Sequence, residues 1–397
     1  MKKIKFASLL LALALLISAL AMTVAADGNQ LITNEQILEA AQPLISAEAE
    51  YYNISSVTVQ NVAEEANTDG TMNVNCDLVF TMCLKAENVE DLPYVAGLLD
   101  GIDMASMTEC VEAGQIAVSA ATNVAGPSIS LTEEAVVAKQ AADFMANVAE
   151  NIGTSIELTF SVVLNVAADG TVNGIYGLGD NGSFPLSDYF PASDTEMYQN
   201  GLNHASSIQA SASEIAADIN AATLIVYYRV DARNYANLYT SNATTTYNGS
   251  GTYMNPSYYN SAYTFFKDAD CANFISQAIR YGGIPINSTW QPYTYAWVNA
   301  EGLRAYLKSS GLVEVSNYTS CNAGGIICCI DSEDGLNDHI VMCVLNDTVN
   351  RAYSAHTSDC KAKAYTSSYP NWTDHYAEYL VFKVTSTESQ YDDGLLD

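Results

Sequence analysis

The chain has 397 residues, of which 49% are hydrophobic and 15% charged, and its formal net charge is −30 at pH 7. That length favours two domains over one core, and the hydrophobic content suffices for globular folding. The acidic excess argues against charge-driven binding to nucleic acid or to anionic membrane and wall polymers.

Lys2, Lys3 and Lys5 precede an apolar run over residues 9–20, followed by small residues at Thr23, Ala25 and Ala26. A run this short with a small-residue exit predicts a cleaved secretory signal over 1–26 rather than a spanning helix. The expectation is an exported, soluble protein without a membrane anchor.

Residues 27–193 read as an α+β domain. A helix is predicted over 34–52, then strands over 57–62 and 74–84 joined across Asp69-Gly70, a tight-turn signal. The pattern recurs: Asn61-Val62-Ala63 precedes Asp69-Gly70-Thr71, and Asn165-Val166-Ala167 precedes Asp169-Gly170-Thr171. With a second helix over 132–151, this predicts a pseudo-repeat of helix plus hairpin. Such a domain would pack, inhibit or bind. It holds no His or Cys cluster at metal-ligand spacing, and no metal or cofactor is expected.

Residues 194–226 are Ala/Ser-rich and read as a linker helix, in which His204 is a solvated or packed residue. Residues 240–262 have loop composition and are long for a connector. Twenty of the 26 tyrosines lie from Tyr227 onward; they read equally as groove lining or as ordinary aromatics of a polar-surfaced domain. An acidic tail covers 386–397.

Nine cysteines are present, and an odd number in an exported chain flags a free thiol. Cys76 and Cys83 are an odd number of residues apart, so on one strand they face opposite sides. Buried reduced cysteines are expected rather than a complete disulfide set.

The chemistry-bearing stretch begins at Asp270-Cys271-Ala272-Asn273-Phe274. Phe274, Ala278 and Tyr281 recur at helical spacing, Ile275 and Ile279 widen the apolar face, and Gly282-Gly283 stops the helix. Asp270 reads as the N-cap, which puts Cys271 in the first turn. Free N–H groups and the positive dipole end there favour a thiolate and can hold an oxyanion. Asn273 and Gln277 are expected to make structural hydrogen bonds.

A cysteine nucleophile needs a base, normally His. The sequence predicts a hairpin from a strand starting at His339 and a return strand ending at His356. If the turn centres on Asp347-Thr348, His339 faces His356, with Cβ atoms roughly 4.5–5.5 Å apart. His339 would be the base and His356 its orienting partner, with Asn346 and Asp347 as alternatives for the third residue. One residue of slippage would separate the two histidines. The Asp331-Ser332-Glu333-Asp334-Gly335 stretch reads as a solvated turn, and His375 as a surface residue.

Residues 228–384 resemble the putative amidase domain family, relatives of the papain-like cell-wall hydrolases. The resemblance rests on Asp270-Cys271-Ala272-Asn273-Phe274-Ile275-Ser276-Gln277 with Gly282-Gly283, on Tyr228-Arg229 and Tyr235-Ala236, and on Asn255-Pro256 with Tyr259. Further support comes from Trp290, Ala296-Trp297-Val298, Asp338-His339 and His356-Thr357. Gly324-Gly325 stands where the family usually carries Gly-Asp. The resemblance implies a papain-like catalytic domain over 227–385, a nucleophile helix packed on an antiparallel sheet. It also implies Cys/His amide cleavage, with peptidoglycan peptides as the substrate class. The rival expectations are a transamidase using the same site and a non-enzymatic binding protein with a degenerate hydrolase domain.

Overall fold

The computed structural model describes residues 31–102, 132–179, 182–221, 225–242, 246–247, 253–267, 269–386 and 389–390. The expected signal segment, Cys110 and most of the acidic tail lie outside the described residues. No helix among the described residues is long and apolar enough to cross a membrane. The chain is α+β and divides into two compact units, one of residues 1–85, 153–178 and 183–190, the other of 86–152, 179–182 and 191–397.

The first unit opens with α1 (Asn34–Ala40), started by a capping box in which Thr33 accepts from the Gln36 amide and the Gln36 side chain accepts from Thr33. Pro43 sits at the start of α2 (Gln42–Tyr51), so the predicted single helix is two. β1 (Tyr52–Ala66), β2 (Met72–Leu84), β3 (Ile156–Val166), β4 (Val172–Gly179) and β5 (Gly182–Pro185) follow one another as antiparallel neighbours. Along β2, Val74, Cys76, Leu78, Phe80, Met82 and Leu84 are buried and the residues between them are not, including Cys83. β3 is buried on both faces from Leu158 to Leu164.

The two hairpin turns repeat each other. Gly70 (φ 85°) and Gly170 (φ 83°) are both left-handed, and Asp69 and Asp169 each accept the amide two residues on at 3.0 Å. The duplicated Asp-Gly-Thr thus builds the same turn twice.

The second unit holds more than the expected catalytic domain. α3 (Pro93–Gly101), α4 (Glu133–Ala149) and α5 (Asp194–Ala221) belong to it. The domain division therefore differs from the boundaries expected at 193 and 226, and the helix of the second repeat leaves its hairpin. The physical reason is visible along α5. Met197, Gly201, Ala205, Ile208, Ala212 and Ile215 are buried at spacings of three and four, which gives this Ala/Ser-rich helix a packing face. A Cβ added at Gly201 would lie 1.9 Å from the Tyr94 carbonyl, so α3 and α5 meet backbone to backbone.

The rest of this unit comprises β6 (Tyr227–Tyr228), α6 (Arg229–Leu238), β7 (Thr246–Tyr247), β8 (Tyr253–Met254), α7 (Cys271–Tyr281), α8 (Tyr295–Val298), α9 (Ala300–Ser309), β9 (Val313–Ser316), β10 (Ile326–Asp331), β11 (Asn337–Asn346), β12 (Arg351–Ala355), β13 (Cys360–Ala364), β14 (His375–Phe382) and β15 (Thr385–Ser386). Six of these strands pair antiparallel in the order β13-β12-β11-β10-β14-β9, and α7 packs against β11. β7 pairs with β8, and β6 runs parallel to β15. Just before β10, Gly324 has a φ of +92° and its N–H donates to the Cys343 carbonyl at 2.8 Å.

Asn147 of α4 anchors that helix. Its Nδ2 donates to the Asn346 carbonyl at 2.8 Å, and its Oδ1 accepts from the Ala323 amide at 3.1 Å. Glu150, just beyond, pairs with the fully buried Arg229 and with Arg233.

Candidate active site

α7 is the most completely buried helix of its unit's site: every residue from Cys271 to Ile279 is inaccessible or nearly so. Asn273 and Gln277 make structural hydrogen bonds, as expected, with groups outside the helix. Asn273 accepts from Trp297 Nε1 at 2.9 Å and donates to Asp270 at 2.8 Å and to the Thr264 carbonyl at 3.0 Å. Gln277 accepts from the Tyr235 hydroxyl at 2.7 Å.

Asp270 does not cap the helix with its side chain. It is itself in an αR conformation, and its Oδ1 accepts from the Phe266 amide at 3.0 Å and from Asn273. Its own amide donates to Thr357 Oγ1 at 2.9 Å. The carboxylate ties the incoming loop and the end of β12 to the helix start instead of covering the first-turn amides.

The backbone N–H groups of Ala272 and of Ile340 in β11 favour the ionised form of the Cys271 thiol. Pairing of β11 with β12 begins at Met342, so the strand has no β12 neighbour at Ile340, where the sulfur approaches. Burial pushes the Cys271 thiol up to about 11, and the neighbouring Asp270 charge adds to this; the N–H donors act the other way without overcoming it. The helix start alone does not yield the thiolate expected from its dipole, because the side chain is only 7% exposed.

His339 immediately precedes Ile340 and is 8% exposed. It stands opposite Cys329 of β10, and its ring lies 5.9 Å from that of Trp372. His339 is thus the residue just before the one whose amide favours the Cys271 thiolate.

The expected face-to-face arrangement of His339 and His356 does not form. Asn346 pairs with Arg351, so the turn centres on Thr348-Val349 rather than Asp347-Thr348, and further down Met342 pairs with Ser354. Asp347 fixes this turn by accepting from the Val349 and Asn350 amides at 3.1 and 2.8 Å. β12 ends at Ala355, and the chain then turns through the left-handed residues Thr357 (φ 62°) and Ser358 (φ 21°). His356 is carried beneath the start of α7. Its Nδ1 is 2.7 Å from Asp270 Oδ2 and its Nε2 is 2.6 Å from the Tyr239 carbonyl. Its ring is stacked between Phe274 and Tyr259, with both centroids 3.9 Å away. Asn346 lies seven residues along β11 from His339, roughly 23 Å at strand rise, and bonds the Thr319 and Cys321 carbonyls; Asp347 lies beyond it.

Tyr259 and Asp359, which support His356, were not singled out by sequence as a pair. The Tyr259 hydroxyl donates to Asp359 at 2.8 Å, and the Asn255 amide donates to the same carboxylate at 2.7 Å. They are 100 residues apart, so no local pattern could reveal the contact. In the loop that leads into α7, Thr264 bonds the Tyr293 hydroxyl at 2.6 Å while Tyr293 remains 69% exposed.

The eight described cysteines are all thiols. Among the described residues, Asp331, Asp338 and His375 form one group whose ligand atoms lie within 4.8 Å of one another and could hold a metal ion; it sits beside His339 at the sheet end, with Asp338 exposed.

Residues 226–381 match the family model described as a putative amidase domain, which points to an amidase-type hydrolase. Two relatives come from Bacillus subtilis (strain 168). Uncharacterized protein YjcM is 43% identical over 60 residues, covering 15% of this chain and 15% of that protein. Uncharacterized protein YhbB is 33% identical over 105 residues, covering 23% of this chain and 33% of that protein. The matched stretches therefore span no more than a third of either relative. No solved structure matches.

Proposed function

We propose that this chain, with its putative amidase domain over 226–381, is an exported cysteine amidase or peptidase of papain-like design that opens amide bonds through a thioester. The observation that supports this reading is the packing of the helix that starts at Cys271 against the strand bearing His339, whose next residue, Ile340, presents a backbone N–H that favours the Cys271 thiolate.

In this mechanism His339 takes the Cys271 proton as the sulfur attacks the carbonyl carbon. The tetrahedral oxyanion is held by first-turn amides of α7. The His339 imidazolium then protonates the leaving amine, and water, deprotonated by His339, releases the acid from the thioester. Because burial holds the resting thiol protonated, the proton moves during attack rather than beforehand.

The substrate class is the peptide of peptidoglycan. The support is the resemblance to cell-wall hydrolases and the exposed Tyr293 beside the nucleophile loop, whose amphipathic ring suits a peptide or sugar face. A chain of net charge −30 favours neutral or cationic peptide segments over acidic polymers.

The test is hydrolysis of purified muropeptides, followed by mass spectrometry, with wild type and Cys271→Ala. Cleavage by the wild type and loss of at least about a thousandfold in the variant is expected. Equal cleavage by both removes Cys271 as nucleophile. Transfer of the acyl group to an added amine in preference to water would make the enzyme a transamidase.

A further inference from the structure

His356 has two nitrogens and two close oxygens, and both oxygens belong to acceptors. The Tyr239 carbonyl can only accept. Asp270 Oδ2, facing Nδ1, belongs to a carboxylate whose other oxygen already takes two hydrogen bonds, from Phe266 and Asn273. Such bonds favour the ionised carboxylate. A neutral imidazole offers one N–H and one lone pair, so either tautomer would press a nitrogen lone pair onto an oxygen at 2.6 or 2.7 Å. With the residue 2% exposed, no bulk water relieves that contact.

The rings above and below suit a cation. Phe274 and Tyr259 stack on the two faces at interplanar angles of 12° and 21°, and aromatic faces attract positive charge. The charged and titratable groups around the ring are Asp270 just before α7, Tyr259 on one face, and Asp359 behind Tyr259. The Asp359 carboxyl is raised by burial.

We propose that His356 is a buried imidazolium, held doubly protonated between Asp270 and the Tyr239 carbonyl, and that it is a positioning residue whose charge balances the carboxylate beside Cys271. It touches no reacting atom. The Asp270 charge opposes thiolate formation at Cys271, and the cation 2.7 Å from that carboxylate offsets it. The structural part of this inference stands without the proposed reaction; the effect on Cys271 matters to catalysis only if Cys271 is the nucleophile.

Nitrogen-15 spectra of the full chain labelled in its four histidines read the ring directly. His356 is assigned by the signals lost in His356→Gln. Two protonated ring nitrogens at pH 7.5 are expected. One unprotonated nitrogen at that pH, whether from a neutral ring beside a carboxylate or from a neutral Asp270–His356 pair, overturns the proposal. Iodoacetamide labelling of Cys271 at pH 8 tests the charge balance: His356→Gln is expected to label roughly three- to tenfold more slowly than wild type, and adding Asp270→Asn to restore most of the rate. An equal loss in the double variant would reduce His356 to packing and overturn the positioning role. If the variants do not fold, assignment by proximity to Phe274 and Tyr259 keeps the wild-type spectrum decisive. Failure of muropeptide cleavage with an intact imidazolium signature would refute the enzyme reading alone.

Discussion

The Ile340 backbone N–H favours the Cys271 thiolate, at the point where β11 has run past the end of its pairing with β12. Sheet edges usually leave such an amide to solvent. Here α7 packs against this strand, and the base candidate is the next residue toward the N-terminus of the strand.

The two histidines should therefore separate in function. His339→Asn is expected to lower kcat for amide hydrolysis by about a hundredfold or more, with little change in thermal stability, since general-base assistance contributes in that range. His356→Asn should instead lower the melting temperature as well, because it leaves Asp270 and the Tyr239 carbonyl buried without their partner. Steady-state kinetics and thermal melts of both variants check this. Equal kinetic and thermal profiles would undo the separation.

Reactivity of Cys271 should follow burial. With the thiol held near 11, the rate of iodoacetamide labelling is expected to keep climbing from pH 7 toward that value. Peptide mapping across a pH series provides the measurement. A plateau below pH 8 would instead show a resting thiolate–imidazolium pair and a proton transferred before attack.

Asn147 is expected to matter far out of proportion to its distance in sequence from the site. Asn147→Ala removes the donor to the Asn346 carbonyl and the acceptor of the Ala323 amide, all of them buried. Stranding those groups should cost about 2–4 kcal/mol in urea unfolding. A loss below about 0.5 kcal/mol would mean that α4 is not anchored through this residue.

His204 should make the second unit acid-sensitive. Its ring packs against Phe144 (4.7 Å) and Tyr94 (6.0 Å), its Nδ1 is buried without a hydrogen bond, and burial lowers it to about 4. The unfolded chain takes up the proton near pH 6.5 and the folded one only near 4, so the stability of the neutral ring is full above 6.5 and is lost as pH falls toward 4. His204→Phe is expected to remove up to about 3 kcal/mol of that acid-induced loss. Melts at pH 7.5 and 4.5 for both proteins give the comparison; an unchanged difference would count against the buried neutral ring.

Much of the architecture was legible from the sequence. The duplicated Asp-Gly-Thr forces the same left-handed glycine turn twice, and alternation over 74–84 marks the inward residues of β2 one by one. The spacing of Phe274, Ala278 and their neighbours, with the glycines behind them, fixes α7 and the place of Cys271 in its first turn. All of these are local properties, set by backbone sterics and by side-chain period within a few residues.

Other features were decided only by tertiary structure. A turn held by Asp347 is displaced from the one expected, and because strand side chains alternate, so small a displacement was enough to separate His356 from His339. The protonation of Cys271 depends on how much of the chain covers it, which outweighs a helix end that is plain in sequence. The allegiance of α4 rests on Asn147 finding groups 176 and 199 residues away, and that of α5 on a face that packs against α3. Contacts at that separation and the desolvation they bring leave no local pattern to read.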